Sequence, residues 1–169
     1  MTWGILRVLA SGLLACALAA CGGPPPPPPL PPTLVELTLS ASSDVNPSAS
    51  GQGSPVVLRI YQLGSATAFD GAEFFPLFNG DADVLKSDLV KREDFILSPG
   101  QTRTTTLSPG DGVKAIGVFA AYRDFQRAAW RGTAEVPPHQ TTRVLVRAGA
   151  GGITVKAEPA PPPAAKPGS

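Results

Sequence analysis

Nucleophiles and metal ligands are scarce in this sequence. It has one histidine, His139, and two cysteines, Cys16 and Cys21, both within the first 21 residues. A zinc-type site draws on several nitrogen or sulfur ligands, so only a carboxylate-dominated metal site could be assembled. No Gly-Lys-Ser/Thr phosphate loop and no Gly-x-Ser-x-Gly turn occurs. Charged residues make up 16% of the chain, with 14 Lys+Arg against 13 Asp+Glu. Such a balance favours neither nucleic acid nor an anionic lipid surface as the main partner. No catalytic residues, no bound metal and no cofactor are expected, nor a small-molecule substrate.

What is present begins with MTWGILRVLASGLLACALAA, one arginine (Arg7) followed by apolar residues to Ala20. A basic start, an apolar stretch and small residues before a cut make an export signal over residues 1–20. Read as a membrane-spanning helix, Ile5 to Ala20 is short of the roughly 20 residues a span needs. Leu18-Ala19-Ala20-Cys21 resembles the bacterial lipobox, which makes Cys21 the expected lipidation site and the first residue after cleavage. Cys16 is the weaker candidate, because a leucine stands where a smaller residue is usual. Several acyl chains make attachment lasting where one would not. Gly22 follows the cysteine instead of the aspartate that commonly retains lipoproteins in the inner membrane, so the outer membrane, with the domain facing the periplasm, is expected. With Cys21 acylated, no second thiol remains for a disulfide despite the oxidising compartment.

Residues 21–32 read as the lipidated cysteine and a proline-rich tether, since GGPPPPPPLPP can form neither helix nor central strand. In polyproline II, Pro24 to Pro32 spans about 28 Å. The tail at residues 158–169, EPAPPPAAKPGS, is expected to be disordered. Between them, 33–157 is one domain. Its apolar spacing is two: Val35, Leu37 and Leu39; Val56, Leu58 and Ile60; Val144 and Val146; Ile153 and Val155. Thr102, Thr104 and Thr106 make a polar strand suited to an edge, whereas VKAIGVFAAY (113–122) is apolar on both faces and reads as central. Pro- and Gly-rich turns separate these runs, which predicts an all-β fold of two packed sheets. The exception is Thr67 to Asp94, where Phe74 and Phe78, then Leu85 and Leu89, stand four apart. Short helical turns covering a sheet end or edge are expected there, with an aromatic recognition surface as the alternative.

Asp81 and Asp83 sit in NGDADVLKSDL, which lacks the glutamate a calcium loop requires. Arg123 and Asp124 are expected to pair, and Trp130 to pack in or near the core. The polar loop SSDVNPSASGQGSP (42–55) is far longer than a hairpin needs. It is either a tolerated insertion or a presented binding loop, because rigid sandwiches carry recognition on loops.

In order along the chain, NPSASGQGSPVVLRIYQL (46–63), AFDGAEFFPLF (68–78), DLVKREDFILSPGQTRTTTL (88–107) and IGVFAAYRDFQRAAWR (116–131) follow the lipobox. Together they resemble the outer-membrane lipoprotein family of the type VI secretion system, the TssJ/VasD/SciN family. The resemblance implies a transthyretin-like β-sandwich of two antiparallel sheets with a small helical insertion. It also implies binding to the periplasmic C-terminal domain of TssM, within the envelope complex that docks the contractile tail. The loop implicated in that contact maps onto Asp44, Val45, Asn46, Pro47, Ser48, Ala49, Ser50, Gly51, Gln52, Gly53 and Ser54. Gln52 departs from a family tendency toward a basic residue beside this glycine, which puts a charge-based contact there in doubt. A carbohydrate- or peptide-binding lipoprotein using the Phe69–Phe78 region is the competing reading.

Overall fold

A computed structural model describes residues 27–160. Cys21, the export signal and all but the first residues of the expected tail lie outside them. The two-residue alternation builds β1 (Leu34–Ala41), β2 (Val56–Leu63), β3 (Leu89–Leu97), β4 (Thr102–Leu107), β5 (Ala115–Ala120), β6 (Arg131–Glu135), β7 (Thr141–Gly149) and β8 (Gly152–Pro159). They form two four-stranded sheets, ordered β4-β1-β7-β8 and β3-β2-β5-β6. Val35, Leu37 and Leu39 of β1 and Val144 and Val146 of β7 share one buried core with Leu58, Ile60, Ile116 and Val118 of the second sheet. Each such side chain contributes roughly 1.5–3 kcal/mol through the apolar area it removes from water.

The expected sandwich with its small helical addition is present, with one pairing of the other kind. Five ladders are antiparallel, but β1 runs parallel to β7, with Leu37 beside Val144. A parallel neighbour requires a long crossover, and the strands of the second sheet lie between β1 and β7 in sequence. The threonine-rich β4 is an edge of its sheet. All six residues of β5 are buried, and the strand lies between β2 and β6.

Helices α1 (Thr67–Gly71) and α2 (Phe74–Leu85) are followed by a 3-10 turn, Lys86–Asp88. Phe69, Phe74, Leu77 and Leu85 pack on Tyr61, Leu63, Ala115 and Phe119, the outward-facing residues of β2 and β5. The helices thus cover a sheet face, not an end or edge, and give the domain a second core. Helical structure also ends earlier than expected. Lys86 adopts φ 47°, which terminates α2, and Leu89 and Val90 open β3. That strand buries only Phe95 and Leu97, so its sequence carries little alternation to read. At the other boundary, β8 continues through Glu158 and Pro159, which pair with Arg143 and Thr142, two residues past the expected end at Ala157.

Strand directions gather four connections at one end of the sandwich: residues 42–55, 98–101, 121–130 and 150–151. The chain enters β1 at the opposite end, beside the β6–β7 turn. There the His139 N–H donates to Thr33 Oγ1 at 2.9 Å and the Leu34 N–H to the Gln140 carbonyl at 3.1 Å.

Candidate functional site at the loop end

The β1–β2 loop leaves the first sheet at Ser42, whose N–H bonds the Ala148 carbonyl at 2.9 Å and whose carbonyl accepts from Gly100 at 3.1 Å. It is pinned from within. Val45 is completely buried and belongs to the inter-sheet core. Asn46, 4% exposed, adopts φ 46°, a left-handed conformation that asparagine tolerates better than most residues. Its side-chain amide donates to the Pro55 carbonyl at 2.9 Å, and its Oδ1 accepts the Arg123 N–H at 2.9 Å. One buried side chain thereby closes the loop on itself and fastens it to the β5–β6 connection.

The rest of the loop folds around those anchors. Ser54 donates to the Val45 carbonyl at 2.8 Å, Ser48 to Gln52 at 2.8 Å, and Gly51 to Ser48 at 2.9 Å. Gly51 takes φ 79°, where glycine carries no steric penalty. A Cβ on Gly53 would collide with the Ser43 carbonyl. Within the Asp44–Ser54 segment, Asp44 and Ala49–Gln52 are exposed, Pro47, Ser48, Gly53 and Ser54 are half-buried, and Val45 and Asn46 face inward. Those two cannot meet a partner directly; they position the residues that could. The loop is a shaped projection, and the spacing alone did not distinguish that from a slack insertion.

Neighbouring connections brace it. The Tyr122 hydroxyl donates to the Gly149 carbonyl at 2.9 Å. Burial pushes the Tyr122 phenol up to about 12, with the Asp44 charge acting in the same direction. Ala129 bridges Gly152 through Ile153 N–H to Ala129 O at 2.7 Å and Ala129 N–H to Gly151 O at 3.0 Å, tying the β5–β6 loop to the β7–β8 hairpin. Asp124 pairs with Arg127 at 3.4 Å rather than with Arg123, whose backbone is committed to Asn46. Trp130 packs against both cores.

The aromatic segment that might have been a ligand groove divides: Phe69, Phe74 and Leu77 are core, while Phe75 and Phe78 are exposed. Phe69 is completely buried and Phe74 nearly so, its ring stacked on Phe125 at 4.4 Å and edge-on to Trp130 at 5.3 Å. Asp81 is equally engaged. Its Oδ2 accepts from Tyr61 and from Arg92, both at 2.9 Å, with Arg59 at 3.9 Å. Burial opposes its charge, but the hydrogen bonds from Arg92 and Tyr61 and the charges of Arg92 and Arg59 outweigh it and hold the carboxyl below its ordinary value. Arg59 also donates to the Phe78 carbonyl at 2.8 Å, two residues before the kink at Gly80. This cluster escaped the sequence reading, because its members are scattered over α2, β2 and β3.

A rigid sandwich, covered by helices on one face and carrying a pinned polar loop at one end, is the architecture of a loop-presenting scaffold domain. The family described as type VI secretion lipoprotein, VasD, EvfM, TssJ, matches residues 33–151. The chain belongs to this family of type VI secretion lipoproteins. It is similar to the T6SS lipoprotein TssJ1 from Pseudomonas aeruginosa, with 40% identity and TM-score 0.74 over 78% of this chain and 100% of that one. Lip from Serratia marcescens, a membrane bound component of the type VI secretion system, is 27% identical, with TM-score 0.68 over 74% and 98%. A chain in a structure described as the T6SS protein TssM C-terminal domain (869-1107) from EAEC is 28% identical, with TM-score 0.60 over 76% and 99%. Among curated proteins, none matches the sequence.

Proposed function

We propose that this protein is the outer-membrane lipoprotein scaffold of a type VI secretion membrane complex, anchored through acylated Cys21 and facing the periplasm. Its β1–β2 loop binds the periplasmic C-terminal domain of TssM. The observation that carries the reading is polarity. The chain enters the sandwich at one end, where Thr33 and Leu34 are fastened to the β6–β7 turn, and the pinned loop projects from the other. The loop is thus left clear of the end at which the chain enters the domain, free to meet a partner while the N-terminus is tethered. Confinement to one membrane face raises local concentration, so a modest interface suffices to hold the assembly.

The EAEC structure supports the partner. The chain matched there is covered to 99% by 76% of this 169-residue sequence and is therefore about 130 residues long, whereas residues 869–1107 span about 240. Its length is that of this fold and about half that of the named domain.

The test is binding of the full-length lipoprotein, purified in detergent, to the TssM periplasmic domain. Saturable binding at micromolar concentration or tighter is expected. Cys21→Ser should release the protein from the outer membrane to the periplasm while leaving that affinity unchanged. Absence of binding at high micromolar concentration contradicts the partner; retention of the Cys21→Ser protein in the membrane contradicts the anchor.

A further inference from the structure

Charge is unevenly distributed over the two ends of this nearly neutral domain. At the loop end four exposed arginines, Arg103, Arg123, Arg127 and Arg147, outnumber two exposed carboxylates, Asp44 and Asp124. Among the described residues no carboxylate lies within 4.0 Å of Arg103, Arg123 or Arg147, and Arg127 alone has a partner, Asp124. Around the opposite end lie Asp83, Asp88, Asp111 and Glu135 with the exposed Lys86 and Lys114, all outside any ion pair among the described residues. Beside the basic end, α2 and the β5–β6 connection expose an apolar step. Phe75 is 54% exposed, and its ring meets Phe125 edge-on at 4.9 Å. Phe125 lies between Arg123 and Arg127 on the β5–β6 connection, and Arg123 is the residue whose N–H is held by Asn46.

We propose that the recognition surface is composite: the β1–β2 loop, the β5–β6 arginines and the Phe75–Phe125 step form one face, and it fits a protein partner presenting an apolar anchor rimmed by carboxylates. This inference rests on the reading of the chain as a TssM-binding scaffold and adds the chemistry of the contact. The apolar step supplies the desolvated centre that interfaces need, and flexible arginines at its margin steer encounter and fix orientation. The Asn46 bond makes the two connections one rigid unit, so they meet the partner together. The partner is selected by charge complementarity: an acidic rim is attracted to the excess of arginines at this end.

The experiment is a comparison of full-length wild-type protein with Arg123→Glu/Arg127→Glu and with Phe75→Ser, binding the TssM periplasmic domain at low and high salt. All three side chains are exposed enough to change without unfolding the domain, and thermal melting verifies this. The double reversal should weaken binding at least about tenfold at low salt, with the difference shrinking as salt screens the charges. Phe75→Ser should weaken it about tenfold at both salt concentrations. Wild-type binding with both variants unaffected overturns the composite surface and leaves the partner reading standing. Failure of the wild type to bind removes both.

Discussion

Replacing Asp81 by asparagine is expected to lower the unfolding free energy by about 2–3 kcal/mol, toward the low end of what breaking a buried ion pair costs because Arg92 is half-exposed. The variant keeps the size of the side chain but removes the charge that Arg92 and Arg59 face, while Tyr61 retains an acceptor. Arg59 is then left largely buried against Phe78 and Phe119, with the half-exposed Asp94 at 3.7 Å as its remaining carboxylate. The effect should centre on the helical cover, because Asp81 lies on α2 while Tyr61 and Arg92 lie on β2 and β3. The pH dependence follows from the direction of the shift. A carboxyl held below its ordinary 3.8 stabilises the fold fully at neutral pH, and that contribution is lost as pH falls from that value through the folded one. Denaturant unfolding of both proteins between pH 7 and pH 2.5 should therefore show the wild-type advantage fading in acid. An advantage that stays constant over this range, or Asp81→Asn matching wild type at pH 7, contradicts the assignment.

Replacing Asn46 is expected to act on the loop more than on the sandwich. Asn46→Ala loses the bonds to Pro55 and Arg123, and it places alanine in a left-handed backbone that asparagine tolerates better. Together these cost about 2–4 kcal/mol, from two partners left unsatisfied and from backbone strain. Asn46→Gly accommodates the backbone but restores neither bond, so it should recover only the strain part. For partner binding both variants should lose at least about tenfold, because a loosened loop must be ordered again on association. Amide exchange at Ser48, Gly51 and Ser54, whose N–H groups bond within the loop, reports the loosening directly. Full affinity in Asn46→Gly would show that the loop does not need its buried anchor.

Much of the sandwich is legible in residue order. Strands with one face in the core, such as β1 and β7, alternate cleanly, and β5 shows its double burial as an unbroken apolar run. Strand β3 is hidden because it is an edge: Val90 and Ile96 are exposed, while Lys91–Asp94 carries charges that discourage strand addition. The parallel pairing of β1 with β7 is a long-range choice without a local signature. For the loop, length and composition mark it as unusual, but its rigidity depends on contacts 77 residues apart between Asn46 and Arg123. The available hint is a lone valine beside an asparagine in an otherwise polar run, the pattern of a buried plug next to a left-handed turn. Gln52 stays uncharged at the exposed tip, and the arginines of this end come from other connections.

Hydrogen–deuterium exchange of the full-length protein with and without saturating TssM periplasmic domain tests the central claim most directly. Slowed exchange is expected across residues 47–54 and 121–128, with the outer face of the first sheet around Thr38 and Thr104 unchanged. Protection confined to that sheet face, or to the turn that holds Thr33, would contradict that claim.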